Sequence, residues 1–505
     1  MILIIDFGGQ TAHLIGRRLR QLGVTTEYAD PDEAAKKIET LSPSGLILSG
    51  GPASVYDHGA PHISKAIFKA NIPILGICYG WQLMAKLLGG EVRSAAKEYG
   101  PEELQVEKRT GIFSLPQQKC SVIMSHGDTV TKLPRGFTAA AHTRSVKIAA
   151  VYHSKNPWFG VQFHPEADHT EQGLALLRLF AQTVCKETLT PLVLKPEQII
   201  SDIKTRVGSS KVICAVSGGV DSTVAAFLIG KAIGKHLIPV YVESGLMRPE
   251  TDKRVRYIFT KLISANLTIV SARQRFLQAL EGITDPEAKR KIIGKLYIDI
   301  FQEEASKHPE AAFLGQGTIY SDVIESKGSK HASRIKSHHN VGGLPKSLHL
   351  ELLEPNRNYY KDEVREIGRL AGLPEEIVMQ QPWPGPGHAI NIIGEVTEQR
   401  LEQVIKADTI VVEEMQHAGL YETVFECFAV MTGAFSTAVK GDGRAFAEVV
   451  AVRSINTNDL MTVEWTEIPY EVLQKISSRI VNEVPDVSRV VYDITGKPPA
   501  TVRWE

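Results

Sequence analysis

Short runs of uninterrupted apolar residues alternate along this chain with longer stretches in which apolar positions recur every three or four residues. Residues 2–6, 45–49 and 72–76 read as buried parallel strands, each running into a glycine-bearing loop. Residues 10–22 and 81–88 carry a helical period. This βαβ rhythm predicts an α/β sheet with its chemistry at the carboxyl ends of the strands. A polar, proline-bearing connector at 186–195 ends the rhythm, which restarts with 211–216 as strand and 222–234 as helix. The stiff stretch Pro382-Trp-Pro-Gly-Pro-Gly387 marks a second boundary. Beyond it, 445–452 and 489–492 read as strands and 468–484 as a helix. The expected fold class is α/β, with two parallel-sheet domains at 1–188 and 195–381 and a smaller α+β domain at 382–505.

Length supports that division, since 505 residues exceed one ordinary core. The apolar share of 43% and charged share of 23% are those of a soluble globular protein. Lys and Arg together number 57, as do Asp and Glu, and no run of like charge stands out, so nucleic acid is not an expected partner. Five widely spaced cysteines form neither a disulfide framework nor a zinc motif. The opening residues meet an acid too early for a signal peptide, and no apolar run approaches the roughly 20 residues of a membrane span. The expected location is cytoplasmic, with no membrane partner.

Two places carry chemistry. In Gly76-Ile-Cys-Tyr-Gly80, glycines flank a cysteine between a strand and a helix, which permits a sharp turn that exposes the thiol at a helix N-terminus. Val161-Gln-Phe-His-Pro-Glu166 is expected to deliver His164 and Glu166 on one side of an extended strand, the first as general base, the second orienting its ring. Cys78, His164 and Glu166 thus form a triad by role. The glycines of Ser49-Gly-Gly-Pro52 allow backbone amides to approach an oxyanion, so Gly51 and Tyr79 are the candidate hole. Cys120, Cys185, Cys214 and Cys427 lack such surroundings and read as structural.

Gly-Ile-Cys-Tyr-Gly-x-Gln and Phe-His-Pro-Glu resemble the class I glutamine amidotransferases. The resemblance implies that Cys78 forms a glutamyl thioester and releases ammonia. It also implies that Gln82, Ser125 and Asp128 hold the glutamine.

The second place is Ser217-Gly-Gly-Val-Asp-Ser222, again between strand and helix. Small residues there let amides point at phosphate, but the Gly-Lys-Ser/Thr ending of a kinase-type loop is missing. SGGxDS resembles the signature of the ATP-pyrophosphatases, which cleave ATP to AMP and pyrophosphate. By that resemblance Ser217, Gly218, Gly219, Val220, Asp221 and Ser222 bind ATP, with Asp221 helping to hold Mg²⁺. Residues 334–345 concentrate cations and histidines between glycines. They read either as a solvated basic loop or as a lid that brings Lys336 onto the phosphates. The adjacent His338 and His339 read as metal ligands only as a minor alternative.

An amidotransferase, an SGGxDS domain and a C-terminal domain in that order resemble the glutamine-hydrolysing GMP synthetase family over essentially the whole chain. The resemblance implies glutamine, ATP and XMP as substrates and a homodimer formed through the C-terminal domain. It also implies acceptor binding by Pro384, Gly385, Pro386 and Gly387, with Arg444 and Lys497 on the nucleotide phosphate. Departures gather near the acceptor region. The family's Arg-His-Pro-Phe-Pro-Gly-Pro-Gly-Leu-Ala-Ile-Arg stands here as Gln380-Gln-Pro-Trp-Pro-Gly-Pro-Gly-His-Ala-Ile-Asn391. Its Val-Asp-Asn-Gly-Leu-Leu-Arg stands as Val242-Glu-Ser-Gly-Leu-Met-Arg248, and Thr-Ile-Glu-Trp-Glu as Thr501-Val-Arg-Trp-Glu505. A family arginine ahead of Gly441-Asp-Gly-Arg444 is replaced near Phe435. Drift within the family fits these changes, and so does a paralogue that aminates another oxopurine nucleotide or ring position. Glutamine-dependent NAD synthetase, a tRNA-thiolating enzyme and a nucleotide-sensing protein without turnover are the rival readings.

Overall fold

The computed structural model describes the chain except residues 10–11, 95–96, 191, 264, 328–349, 441–442, 458–461 and 498. Its described residues fall into two compact units, one built chiefly from Met1–Val193 and the other from Leu194–Ser326 and residues 350–505. Lys336, with His338 and His339, lies outside the described residues.

Ile2–Ile5 carries four apolar residues in a row, and all four are buried. A strand covered on both faces needs such a run, which is why continuous hydrophobicity rather than alternation marks it. The first unit's nine-stranded sheet runs Thr26–Ala29, Ile2–Ile5, Gly45–Leu48, Ile74–Ile77, Trp158–Val161, Ala150–His153, Phe137–His142, Glu98–Val106, Lys119–His126. Pairing is parallel as far as Trp158–Val161 and antiparallel beyond it. The sequence pattern therefore captured the three central parallel strands, which are buried on both faces, and not the edge strand Thr26–Ala29 or Trp158–Val161. The expected helices settle at Ala12–Gln21 and Tyr79–Leu87.

In the second unit a five-stranded parallel sheet runs Thr268–Ser271, Leu237–Glu243, Lys211–Ala215, Ala311–Gly315, Glu351–Leu353. The helix after its central strand, Val220–Ile233, is apolar almost all round and buried over most of its length. Farther along, Glu426–Lys440 and Gly443–Asn456 form a long antiparallel hairpin, and Val487–Tyr492 pairs in parallel with the second strand. Helices Glu398–His417 and Tyr470–Glu483 bury their apolar faces in the same cluster as the hairpin base. That cluster also takes in Val242, Leu246 and Phe276, so one core joins the five-stranded sheet to the C-terminal elements.

Candidate active sites

Strand Ile74–Ile77 ends directly in Cys78, the N-cap of helix Tyr79–Leu87, with φ 48° and ψ −108°. A non-glycine residue with positive φ costs roughly 1–3 kcal/mol and persists only where its surroundings fix it. Here they do: a Cβ on Gly80 would lie 2.2 Å from the Leu48 carbonyl oxygen, so only glycine lets the helix start this close to the neighbouring strand. Cys78 Sγ faces the Ser125 carbonyl at 3.7 Å and accepts from Gln162 Nε2 at 3.6 Å.

His164 and Glu166 come from the other side, but not from a strand. Trp158–Val161 stops short of them, and the backbone turns, with Ala167 N donating to His164 O at 3.3 Å. The expected extended presentation is thus corrected to a turn. Pro165 has no N–H for a sheet ladder, and the turn brings Glu166 under the ring. Glu166 Oε1 lies 2.8 Å from His164 Nδ1. Arg18 Nε donates to the Glu166 carbonyl at 3.1 Å, Arg18 also pairs with Asp168, and Thr170 Oγ1 donates to His164 O at 2.7 Å, which braces the turn. Burial alone pushes the His164 imidazole down in pKa, but Glu166 and Cys78 outweigh it and hold the group well above its ordinary value.

Gly51 packs beside the Phe7 carbonyl and the Tyr79 ring, and Tyr79 opens the helix after Cys78. Gln82 donates through Nε2 to the Asp128 carbonyl at 2.7 Å, and the Asp128 carboxylate accepts from Ser54 Oγ at 2.5 Å. Ser125 reaches Cys78 through its carbonyl. Gln162 and Ser54 were not singled out from sequence. The alternation of Val161-Gln-Phe-His was the one signal for Gln162, since it sets 162 and 164 on the same side.

At the second site Gly219 is the N-cap and Val220 the first residue of the helix that carries Asp221 and Ser222. Ser217 and Ser222 hydroxyls lie 3.0 Å apart, and Ser222 Oγ donates to the Gly219 carbonyl at 3.1 Å. Gly218 has φ 78°, and a Cβ there would meet Thr251 Cγ2 at 2.6 Å. Asn356, fully buried, donates to the Asp221 carbonyl at 2.8 Å, and Lys361 Nζ lies 3.8 Å from the Asp221 carboxylate. No group of three or more His, Cys, Asp or Glu among the described residues would hold a metal by itself. One carboxylate fits Mg²⁺ all the same, because Mg²⁺ takes few protein ligands when substrate phosphates supply the rest.

The segment Pro384–Gly387 is clamped at both ends. A Cβ on Gly387, at φ 59°, would lie 2.2 Å from the Leu246 carbonyl oxygen, and His388 N donates to that oxygen at 2.8 Å. Before the segment, the Trp383 ring is covered by the guanidinium of Arg248 at 3.9 Å and that of Arg503 at 4.6 Å. Arg248 pairs with Asp408 at 2.7 Å, and His388 Nε2 lies 3.2 Å from the same carboxylate. Burial acts to raise the Asp408 carboxyl, yet Arg248 and His388 hold it well below the usual carboxylate range. Arg444 is exposed near the hairpin tip, opposite Val439. Lys497 bridges Val463 through its backbone. Phe435 is exposed on the hairpin and stacks on Phe446 at 5.8 Å. The candidate acceptor residues thus lie on three separate elements.

Residues 3–184 match the family model of class-I glutamine amidotransferases, and residues 413–504 that of the GMP synthase C-terminal domain. Over its full length the chain is 47% identical to the glutamine-hydrolysing GMP synthase of Nitratiruptor sp., with 100% of this chain and 99% of that protein covered. It is 46% identical, with the same coverage, to the protein of that name from Caldanaerobacter subterraneus. With the cysteine elbow, the buried histidine–glutamate pair and the SGGVDS loop all in place, the chain belongs to the family of glutamine-hydrolysing GMP synthases.

Proposed function

We propose that this chain makes GMP from XMP, spending ATP and taking ammonia from glutamine. The observation that carries the reading is Cys78 on its strained elbow beside the buried His164–Glu166 pair, set in a chain that matches its relatives from end to end. Cys78 attacks the side-chain amide carbon of glutamine, while the Gly51 and Tyr79 amides stabilise the oxyanion. His164 takes the thiol proton as Cys78 attacks and hands it to the departing ammonia, and Glu166 keeps the ring in place. Water then cleaves the thioester to glutamate. Gln82, Ser125 and Asp128 form the side of the site that would hold the amino acid.

At the second site the residues Ser217–Ser222 cradle the ATP phosphates. The 2-oxygen of XMP attacks the α-phosphate and pyrophosphate leaves. Ammonia adds at C2, and AMP departs with the oxygen. Bound Mg²⁺ would neutralise phosphate charge, with Asp221 as its protein ligand. Pro384–Gly387 with Arg444 and Lys497 would receive XMP, and Lys336 would close on the phosphates. In this reading the working form is a cytoplasmic homodimer.

Mass spectrometry of the product from ATP, Mg²⁺, glutamine and XMP tests the proposal. A product that co-elutes with authentic GMP supports it. An isomer of the same mass would move the amination to another ring position, an alternative that the departures around Trp383 and Asn391 also fit. AMP and pyrophosphate without any aminated XMP would overturn it in favour of a different acceptor.

A further inference from the structure

Buried cations in the second unit are paired: Arg248 with Asp408, Arg453 with Asp493, Arg503 with Glu426, and Lys289 with Glu505. Pairing is expected, because a desolvated charge without a counter-ion is costly. Two half-buried arginines among the described residues break the pattern, Arg365, which donates to the Gln380 carbonyl at 3.0 Å, and Arg254. It lies on helix Pro249–Tyr257, half-buried, and no carboxylate comes within ion-pair distance of it among the described residues. Its Nη2 donates to the Gly218 carbonyl at 3.1 Å and to Thr251 Oγ1 at 3.5 Å, while its Nε is buried with no acceptor. Tyr241, Tyr421 and Arg248 are among the groups that act on it, and Glu250 on its own helix acts on it only at a distance. Burial pushes its pKa down, as it must for a cation with no partner, but a guanidinium stays charged.

The place of this unmatched charge is informative. Gly218 is the second residue of the SGGVDS loop, and a Cβ there would come within 3.9 Å of Arg254 Nη2. The loop Ser217–Ser222 contains no cation of its own and carries the acidic Asp221. Backbone amides and a helix N-terminus supply only partial charges. A nucleoside triphosphate brings several full negative charges to the same place, and a free guanidinium Nε–H beside the loop is suited to a phosphate oxygen.

We propose that Arg254 is a further ligand-binding residue of the synthetase site, taking the pyrophosphate end of ATP before and after it is cleaved. The proposal rests on the reading that the SGGVDS loop binds ATP. Unlike a lid, Arg254 stands on a helix packed against the loop, so it is in position for free pyrophosphate as well as for the intact nucleotide.

Titration calorimetry on the full chain with Mg²⁺ tests this without requiring turnover. Three probes are used: inorganic pyrophosphate, the non-hydrolysable analogue α,β-methylene-ATP, and AMP. Arg254→Gln keeps a donor for the Gly218 carbonyl but loses the charge. It is expected to weaken pyrophosphate and the analogue by about tenfold, with AMP within about twofold of wild type, and Arg254→Lys to restore part of the loss. Unchanged pyrophosphate binding in Arg254→Gln overturns the proposal. So does an equal loss for AMP, which would mean that the arginine only holds the loop in shape. If Arg254→Gln does not fold, Arg254→Lys carries the test, because a charge without the fork must still bind pyrophosphate more weakly at unaltered AMP affinity. A wild-type chain that binds neither pyrophosphate nor the analogue would sink the ATP reading itself and this proposal with it.

Discussion

His164 is pulled two ways. Burial favours the neutral ring, and Glu166 at 2.8 Å with Cys78 favours the charged one, which wins. Because the folded-state pKa is raised, protonation of His164 stabilises the fold fully below the unfolded value of about 6.5, and that contribution is lost as pH rises through the raised value. Catalysis follows the same sign. Glu166→Gln removes the main influence that raises the pKa and leaves burial, so the imidazolium is lost at lower pH. The alkaline limb of kcat/KM for glutamine hydrolysis should move to lower pH, with a loss of about 10²-fold near neutrality. A pH–rate profile of both proteins checks this, and an unmoved alkaline limb would show that Glu166 only holds the ring. Cys78, His164 and Glu166 were legible as residues because glycine spacing and a His-Pro-Glu triplet leave marks in sequence. Gln162, whose amide meets the thiol, leaves only its alternation with His164, and Arg254, whose guanidinium meets the Ser217–Ser222 loop, leaves none, since each contact exists only once distant segments pack.

Elements were legible where burial is two-sided. Ile2–Ile5, Gly45–Leu48 and Lys211–Ala215 are short and apolar and pair in parallel on both sides, so their sequences have little freedom. The hairpin strand Glu426–Lys440 escaped notice because its outer half, with exposed Phe435 and Val439, has no steady alternation to mark a buried face. Loops were readable where glycine is obligatory. Gly387 couples positive φ to an approach within 2.2 Å of the Leu246 carbonyl oxygen, and backbone on both sides leaves no room to yield. Gly387→Ala should therefore lower stability of the second unit by at least about 2 kcal/mol, through left-handed strain and steric overlap together. It should also raise KM for the acceptor nucleotide. Glutamine hydrolysis by the first unit, assayed without nucleotide, should stay near wild type. Urea unfolding followed through Trp383 and the other tryptophans measures the first effect, and a midpoint unchanged from wild type would refute the steric argument.

Across the second unit, the departures from the family pattern meet one another. The resemblance places an arginine where this chain has Asn391 and a glutamate where it has Arg503, and these two residues are hydrogen-bonded at 3.1 Å. Arg503 is buried between the Trp383 and Phe428 rings and paired with Glu426, so residue 503 supplies a positive charge beside Trp383 in addition to that of Arg248. Changes that looked independent along the chain are thus one rearrangement in space, which a single sequence could not reveal. A double-mutant cycle follows from it. Asn391→Arg alone sets a second guanidinium against Arg503, and Arg503→Glu alone sets a carboxylate against Glu426, so each single change should destabilise by about 3 kcal/mol. The double variant returns one cation among carboxylates and should recover about 2 kcal/mol relative to the sum of the singles. KM for the acceptor should follow the same pattern of loss and rescue, because Trp383, stacked under Arg503, leads directly into Pro384–Gly387. Denaturant unfolding and acceptor kinetics on all four proteins decide the matter. Strictly additive single effects would mean that the two departures arose separately and that Arg503 does not position Pro384–Gly387.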